Sequence, residues 1–584
     1  MSLGNFVFLI NSFYILAILW LIRSTKIIFF YLYLWQLKNY HVGRFLDHFQ
    51  TEKGKKLIFN KPNFLKIILL VYFFTLPYFL PYLNSFFANL YSFRLISPYL
   101  NTLSLVLSYL SAVLLFFLPI CLLIIYFLEN LKVFFDFYKK RIKLPILTKK
   151  AVFLIFLAII FEIGAISTFI YFEKDLIFFA LWLLILDIFL PLVISAIVLF
   201  FQPLAVFFRE LIIIKAKNRR EFFEDLLVIG ITGSYGKTST KEFLYTILSQ
   251  RFNVLKTKEH QNSEIGIAQC VLNDLKTKHE IFLVEMGAYG RGGIKKLCNI
   301  VRPKIGILTG INEQHLALFR SQKNIIKAKY ELIESLPEDG LGFFNGDNKH
   351  CFDLYNKTEK TKKISNSQPN PSNFLPDIWA EKIIIRKDYI FFKACTQKGC
   401  IDCKVYLSGN HFIPNLLSAI YLAKEFGMTD KEIQEACLNI KSPKNTMNIF
   451  KGINDITVID DSYSANPEGV IAALNYLRLY EGKKLIIMPS LIELGRASKE
   501  VHQRIGEEIG EVCDAVIVTT KDYFWDIGEG FLRKGGREEN VLFTENPREI
   551  FEIIKKLWDP GDTVLLEGRV PKELINILIK QNNG

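Results

Sequence analysis

The stretch LLVIGITGSYGKTSTKEFLYTILSQ, Leu226–Gln250, decides how the larger, C-terminal part of this 584-residue chain folds. Its apolar run, Leu226–Ile231, predicts a buried strand, which gives way to a glycine-rich turn and then to an amphipathic helix. Glycines let backbone N–H groups approach phosphate oxygens closely, and the start of the helix presents the positive end of its dipole. Strand, turn and helix in this order predict a nucleotide site, although Ile231 stands where the common phosphate loop has glycine.

Two side chains and a second strand complete the predicted site. Lys237 adds a positive charge for phosphate oxygens, and the Thr238 hydroxyl is an oxygen ligand suited to Mg²⁺. The apolar run Ile281–Val284 ends at Glu285, and a carboxylate at the end of a strand beside a phosphate loop is well placed to bind the same ion. The turn residues predicted to bind the nucleotide are Gly233, Ser234, Tyr235, Gly236, Lys237, Thr238 and Ser239. The alternative is a turn that only packs a helix on a sheet.

Charge and hydropathy divide the chain near residue 220. The protein is 51% hydrophobic and carries a formal net charge of +14. All of this charge lies in residues 1–220, which hold 23 Lys and Arg against 9 Asp and Glu, whereas residues 221–584 hold 48 of each class. That balance gives no support to a nucleic-acid partner for the C-terminal part. The nine scattered cysteines do not form the pattern of a secreted disulfide framework.

Five segments of the N-terminal third are long and apolar enough to span a bilayer. They are approximately Phe6–Ile22, Phe64–Leu83, Leu103–Leu128, Ala151–Phe172 and Leu176–Phe201. Basic residues crowd the connections Arg23–Lys61 and Lys132–Lys150, whereas the alternate connections contain only Arg94 and Lys174. This bias predicts a multi-pass protein of the inner membrane, with the N-terminus outside and the C-terminal domains in the cytoplasm.

Two acidic residues lie within these apolar segments. Glu162 falls in the fourth segment and Asp187 in the fifth. Because a charge at that depth in a bilayer is costly, each residue is predicted to have a function, to pair with another group or to lie near a helix end.

Alternating strand-like and helix-like stretches follow residue 220 and predict two α/β domains. The expected division is an apolar helical region over 1–220, a nucleotide-binding domain over 221–441 and a second α/β domain over 442–584. Cys395, Cys400, Cys403 and His411 could in principle bind zinc. Their irregular spacing falls where a β-hairpin is expected, and the hairpin is the favoured interpretation.

A series of motifs resembles the Mur ligases, the amide ligases of cell-wall precursor synthesis, and most closely the branch that adds D-alanyl-D-alanine. The resemblance extends over roughly Leu226 to Lys572. Its motifs are Ile231–Thr238, Asn262–Gly266, Glu285–Ala288, His315, Ala328-Lys329, Gly409–His411 with Asn415, Asp460–Pro467, and Ile492–Gly495 with His502. The resemblance implies a central ATP-binding domain and a Rossmann-like C-terminal domain behind a polytopic membrane region. It also implies ATP-dependent amide formation through an acyl phosphate.

The resemblance implies two metal sites. Thr238 and Glu285 would bind one Mg²⁺ next to the ATP phosphates. His315 and Lys329 would serve a second, with Lys329 in the position that the family uses as a carbamylated lysine. A carbamate replaces a cation with an anionic oxygen ligand, which is what Mg²⁺ prefers. Lys237, Glu285, His315 and Lys329 are therefore the expected catalytic residues.

The resemblance also places two nucleotide contacts and shows three departures. Asn415 falls at an adenine contact, and Asp461 lies near the nucleotide from the C-terminal domain. Phe412 stands where the family has asparagine, so an altered contact with adenine is expected. Thr446 stands where the family has arginine, and Glu567 begins a Glu-Gly-Arg sequence where the family has Lys-Gly-Ser. The ATP and metal residues match the family pattern.

The sequence leaves two alternatives for how the apolar N-terminal region takes part in binding the acceptor. Family members of this type carry a soluble N-terminal domain for the uridine diphosphate of the acceptor, but here the residues before Leu226 are mostly apolar segments. An acceptor that is already lipid-linked would be presented at the inner face of the membrane; a plain anchor with a soluble acceptor is the alternative. Three further alternatives for function are a ligase for another amino acid or a γ-glutamyl polymer, an ATP-powered transporter, and a nucleotide-binding scaffold without catalysis.

Overall fold

The computed structural model describes residues 3–38, 40–49, 52–75, 99–139, 141–173, 175–259, 261–367, 375–407, 409–442, 447–462 and 466–580. The chain forms two compact units, Met1–Phe208 and Arg209–Gly584. Thr446 and the two charges of the alternate connections, Arg94 and Lys174, lie outside the described residues.

The first unit is helical. Its helices are α1 Leu3–Leu37, α2 Val42–His48, α3 Glu52–Ile58, α4 over residues 61–75, α5 Tyr99–Tyr138, α6 Lys149–Phe172, α7 Leu176–Phe200 and the start of α8 Gln202–Glu221. Among the described residues, four helical stretches are long and apolar enough to cross a membrane: Phe13–Leu37, Phe117–Tyr138, Lys149–Phe172 and Leu176–Glu221. The second of the five predicted segments begins in α4 and continues outside the described residues.

The first helix is longer than the sequence analysis predicted, because it runs to Leu37 instead of ending at Ile22. The expected basic connection therefore begins inside a helix. Arg23 does not end the helix, since its guanidinium is buried and forms ion pairs with Glu129 and Asp187. A paired arginine is compatible with an apolar helical bundle, whereas an unpaired one is not.

A network of four charged side chains lies inside the helical unit. Lys66, which is 1% exposed, places its Nζ 2.6 Å from Glu129 Oε2 and 3.0 Å from Asp187 Oδ2. Arg23 pairs with the same two carboxylates, so two positive and two negative charges balance. Asp187 was predicted to have a function, to pair or to lie near a helix end, and the structure shows that it pairs. Glu162 is also buried, and its role remains a prediction.

The second unit begins with a nine-stranded sheet. Its strands are β1 Leu227–Thr232, β2 Val254–Lys256, β3 Ile281–Glu285, β4 Ile305–Leu308, β5 Leu341–Asn345, β6 Lys362–Asn366, β7 Ile378–Ile385, β8 Ile390–Thr396 and β9 Gly399–Val405. The helices of this part are α9 Lys237–Leu248, α10 Glu264–Asn273, α11 Gly293–Val301, α12 Leu316–Phe319, α13 Gln322–Glu334, α14 Lys349–Lys357, α15 Ile413–Glu425 and α16 Asp430–Leu438. The strand order is β2-β3-β1-β4-β5-β6-β7-β8-β9, parallel up to β7.

The last strands of this sheet form the β-hairpin that the sequence predicts. β8 pairs antiparallel with β7 and with β9, and Cys395 lies directly opposite Cys400. These two cysteines form a disulfide, and Cys403 is buried as a free thiol. The four residues considered for zinc therefore do not act together as one ligand set.

A six-stranded sheet follows. Its strands are β10 Asn448–Lys451, β11 Thr457–Asp461, β12 Lys484–Met488, β13 Ala515–Val518, β14 Val541–Phe543 and β15 Thr563–Glu567. Its helices are α17 Pro467–Leu477, α18 Ser498–Val512, α19 Phe524–Arg533, α20 Pro547–Leu557 and α21 Lys572–Lys580. The order is β10-β11-β15-β12-β13-β14, and only β10 is antiparallel to its neighbour. Parallel strands covered by helices on both faces are typical of a Rossmann-like domain.

The end of α8 packs into the core of the second unit. Ile213 and Ala216 are buried in a cluster with Leu226 and residues of α10 and α11. Arg220 donates to the carbonyl oxygen of Val301 at 3.0 Å. This segment is therefore part of the second unit, whose limit lies at Arg209. The predicted domain limits at 220/221 and 441/442 remain predictions.

Candidate active site

The glycine-rich turn connects β1 to α9 at the carboxyl end of the parallel strands. Gly236 has φ 76°, and a Cβ at this position would lie 2.9 Å from Asn415 Oδ1. Glycine is thus required both by the backbone conformation and by the closeness of the neighbouring amide. Asn415, expected to contact adenine, is buried directly against the turn expected to hold the phosphates.

The opposite side of the turn is formed by two residues that follow β4. The backbone N–H of Ser234 donates to Gly310 O at 2.7 Å, and Thr309 Oγ1 donates to Tyr235 O. A Cβ on Gly233 would collide with the Thr309 hydroxyl, and one on Gly310 would collide with the Tyr235 ring. The sequence analysis did not identify Thr309 and Gly310. Their position directly after a strand adjacent to β1 is the signal that points to them.

Lys237 and Thr238 begin α9 and face different partners. Lys237 Nζ donates to Gly233 O at 2.7 Å and to Ser234 O at 3.0 Å, so its ammonium group lies over the turn. Burial lowers the pKa of Lys237, an effect that Glu285 opposes. Ser239 follows in the same helical turn and is half-buried.

Glu285 is surrounded by donors. Its Oε2 accepts from Thr238 Oγ1 at 3.0 Å and from Lys241 Nζ at 3.2 Å, and its Oε1 accepts from Asn262 Nδ2 at 3.1 Å. Burial by itself would raise the pKa of Glu285, but Lys241, Lys237 and the Asn262 amide hold it below its usual range. Lys241 was missed by the sequence analysis. It lies one helical turn after Lys237, on the same face of α9.

Lys329 and His315 lie at the same end of the sheet. Lys329 is 3% exposed, and burial together with the nearby charge of Lys237 lowers its pKa to about 7, which Glu331 opposes. Burial also lowers the pKa of His315, and Lys329 and Lys237 add to this effect, whereas Glu493 opposes it. Lys237 is therefore close enough to the other three predicted catalytic residues to influence their ionisation.

The C-terminal domain reaches this site through two carboxylates. Glu493 Oε2 contacts His315 Nδ1, and Glu468 accepts from the Asn312 side chain. Asp461 Oδ1 accepts from the Met447 N–H at 3.2 Å, and within the described residues no hydrogen bond or ion pair joins Asp461 to the glycine-rich turn. The role of Asp461 therefore remains a prediction.

Two of the three departures from the family pattern are buried. Phe412 packs its ring edge-on against Phe243 at a centroid distance of 5.7 Å, inside the core under α9. Glu567 is fully buried beside Asp461 in the register of β11 and β15, and burial followed by the charge of Asp461 raises its pKa well above the usual range. Burial likewise raises the pKa of Asp461 to about 6, with Asp460 adding to it.

Comparison with known proteins identifies the family. Residues 231–423 match the Mur ligase middle domain and residues 447–570 match the Mur ligase glutamate ligase domain, together more than half of the chain. The UDP-N-acetylmuramoyl-tripeptide–D-alanyl-D-alanine ligase of Borreliella burgdorferi is 30% identical over 357 residues, which are 60% of this chain and 73% of that enzyme. The chain belongs to the Mur ligase family. The enzyme of the same name from Synechocystis is 29% identical over 342 residues, covering 58% and 71% of the two chains.

The fold agrees with this assignment. The MurF ligase of Thermotoga maritima in complex with ADP superimposes with a TM-score of 0.56 at 23% identity, over 64% of this chain and 85% of that chain. The expected central and C-terminal α/β domains are thereby confirmed. As a Mur ligase, the chain is an ATP-dependent amide ligase, which decides between the ligase and transporter alternatives in favour of the ligase.

Proposed function

We propose that this Mur ligase adds D-alanyl-D-alanine to the peptide of a muropeptide acceptor. The observation that carries the proposal is the grouping of Lys237, Glu285, His315 and Lys329 at one end of the parallel sheet. The relatives whose names state this reaction match 342 and 357 residues of this chain. In the first step the acceptor carboxylate attacks the γ-phosphorus of ATP and releases ADP. The amine then attacks the acyl carbon, forms the amide and releases phosphate, losing one proton.

The phosphate groups are assigned to the turn Gly233–Thr238, with Ser239 in the next helical position. Lys237 lies over the turn, where its charge balances that of the phosphates and of the incoming carboxylate. Asn415 is assigned to the adenine because it borders the turn. Asp461 is assigned to the nucleotide from the C-terminal domain on the family resemblance alone.

Mg²⁺ fits the oxygen ligands that this site offers. The Thr238 hydroxyl and the Glu285 carboxylate are joined by a hydrogen bond, and both are ligands of the kind that Mg²⁺ takes beside ATP. When bound, the ion supplies positive charge to the phosphate oxygens. A pKa of about 7 leaves much of the Lys329 amine uncharged at neutral pH. That form adds to CO₂ and loses a proton to give a carbamate, which with His315 would bind a second Mg²⁺.

The helical unit is assigned to the inner membrane, with the ligase domains in the cytoplasm. The support is the set of four apolar helical stretches and the basic residues between them. The acceptor is then a lipid-linked muropeptide, because confinement to a membrane surface raises its effective concentration at the site. A simple anchor that serves a soluble acceptor is the second candidate, which the family resemblance favours.

The test of activity uses the full-length protein with ATP and a uridine-diphosphate muropeptide. D-Alanyl-D-alanine is compared with single amino acids, including glutamate, and mass spectrometry follows the amide product while phosphate release is measured. We expect one phosphate per amide, formed with the dipeptide. Amide formation with glutamate but not with the dipeptide would contradict the proposed substrate.

The test of the membrane role compares lipid-linked and soluble forms of the same acceptor. The shortened chain for comparison begins at Arg209, since Ile213 and Ala216 belong to the ligase core. Full-length protein should prefer the lipid-linked acceptor in vesicles, and the shortened chain should lose that preference. If both proteins use the soluble acceptor equally well and neither prefers the lipid-linked form, the helical unit has no part in substrate recognition.

A further inference from the structure

The loop after β12, residues 489–495, carries a carboxylate of the C-terminal domain onto a residue of the central domain. Glu493 Oε2 contacts His315 Nδ1. The contact is reinforced by the backbone, since the N–H of Ala317 donates to the carbonyl oxygen of Glu493 at 3.1 Å. The side chain of Glu493 thus contacts His315, and its carbonyl oxygen contacts Ala317, two residues further along the same segment of the central domain.

A fully buried histidine shapes this loop. His502 Nε2 accepts from the Leu491 N–H at 2.8 Å, and its Nδ1 lies 2.6 Å from Ser498 O. The imidazole stacks on the Tyr523 ring at a centroid distance of 4.6 Å and an interplanar angle of 5°. Both ring nitrogens and one ring face are therefore used to hold the loop, and none of these contacts involves the reaction centre.

The backbone of the contact is strained on both sides. Glu493 has φ 67° and His315 has φ 66°, conformations that are unfavourable for residues with a Cβ. Such strain persists only where the surrounding structure holds it, and it concentrates at functional sites. Here the His502 anchor and the Ala317 hydrogen bond hold it. The two left-handed residues are thus the same two whose side chains meet across the domains.

We propose that Glu493 is a positioning residue that orients the His315 imidazole for its part in the reaction. A carboxylate accepts hydrogen bonds, so Nδ1 of His315 carries the hydrogen and Nε2 keeps the lone pair with which an imidazole binds a metal. Because Glu493 and His315 belong to different domains, this orientation exists only while the C-terminal domain is docked on the central domain. The inference rests on the proposed function in assigning His315 to the second Mg²⁺.

The alternative is that Glu493 only ties the domains together. Glu468 offers a matched comparison, because it also joins the domains, through Asn312, without touching His315. If docking alone mattered, Glu493→Ala and Glu468→Ala would have the same effects. Glu500, an exposed acid in the first turn of α18, serves as the neutral control.

The first experiment measures Mn²⁺ binding to the full-length protein in the presence of a non-hydrolysable ATP analogue, from the loss of the free-ion electron paramagnetic resonance signal. We expect Glu493→Ala to weaken the second bound Mn²⁺ by about 10- to 100-fold, as is typical of residues that orient a metal-binding histidine. Glu493→Gln should lie in between, Glu500→Gln should match the wild type, and Glu468→Ala should weaken both ions little. Unchanged Mn²⁺ binding in Glu493→Ala would overturn the inference.

The second experiment is a double-mutant cycle on amide formation. Glu493→Ala should lower kcat with little change in KM for ATP. In the His315→Ala background the same substitution should cost nothing more, since residues that act through one another are not additive. Equal losses in both backgrounds would show that Glu493 acts independently of His315. Should the wild type form no amide, the proposed function fails, while the Mn²⁺ measurement still decides the positioning role.

Discussion

Thr238 and Glu285 are joined by a 3.0 Å hydrogen bond although 46 residues of chain separate them. Thr238 lies in the first turn of α9, and Glu285 ends β3, whose last register partner on β1 is Ile231. Parallel pairing therefore brings the end of β3 beside the glycine-rich turn. Thr238 and Glu285, which are predicted to bind one Mg²⁺, are thus adjacent in the folded protein.

Lys241 is expected to stabilise this arrangement. It is fully buried, and its Nζ lies 3.2 Å from Glu285 Oε2. Lys241→Met leaves Glu285 with less compensation for its buried charge, so the free energy of unfolding should fall by about 3 kcal/mol in urea denaturation. Lys258→Met, which removes an exposed pair with Asp274, is the control and should have no measurable effect. A stability equal to the wild type in Lys241→Met would contradict the proposed dependence.

Lys329→Ala should abolish amide formation and leave ATP binding largely intact, because the side chain is assigned to the second metal rather than to the phosphates. Short-chain carboxylates in the buffer should restore part of the activity by supplying the missing oxygen ligand. Lys237→Ala should weaken ATP binding itself, and carboxylates should not rescue it. Lys327→Ala, an exposed neighbour on α13, is the matched control. A fully active Lys329→Ala protein would refute the assignment.

Glu567→Gln should stabilise the protein more at pH 8 than at pH 5. The folded-state pKa values of Glu567 and Asp461 are raised, that of Asp461 to about 6, so the folded protein binds more protons than the unfolded chain above pH ~4. Stability from this pair is present at low pH and is lost as pH rises through the raised values. Glutamine cannot ionise, so Glu567→Gln removes the cost of burying the Glu567 charge. Because that cost grows as pH rises, the increase in thermal midpoint over the wild type should also grow with pH. The exposed Glu538→Gln should show no such trend, and a less stable Glu567→Gln at pH 8 would indicate a cationic partner.

The charge network of the helical unit should be required for its stability. Asp187→Asn leaves Arg23 and Lys66 with a single carboxylate, so the thermal midpoint in detergent should fall by several degrees. Combining it with Lys66→Met restores the balance of charge and should recover part of the loss. Asp136→Asn is the control, because its pair with Lys26 is partly exposed. A double variant that is less stable than either single variant would contradict the balance of charges.

The orientation of the helical unit can be tested by labelling single cysteines on intact cells, in a background without other cysteines. The basic connections are predicted to face the cytoplasm and the weakly charged one the outside. Leu90→Cys should therefore react with an impermeant reagent, and Lys140→Cys should not. Both positions lie outside the described residues. The reverse pattern would overturn the proposed topology.

The sequence by itself determined what depends on neighbours along the chain. Apolar runs, a glycine-rich turn and an amphipathic helix predict β1, the turn and α9, because these patterns act within a few residues. The same local signals predict the hairpin around Cys395 and the apolar helices. Spacing of short motifs over the chain identifies the family and most of the candidate site.

Only the tertiary structure decided which distant groups share one environment. Glu493 lies 178 residues from His315, and nothing in the local sequence indicates that their side chains meet. From the sequence, Arg23 was predicted to lie in a basic connection between helices. The structure shows instead that it is buried in a helix and paired with Glu129 and Asp187. Local patterns specify strands and helices, whereas the pairing of charges depends on which elements become neighbours after folding. Burial sets the cost of each charge, and the neighbouring groups then decide the outcome: cations and an amide keep the pKa of Glu285 low, whereas Lys329 has too little compensation and its pKa falls.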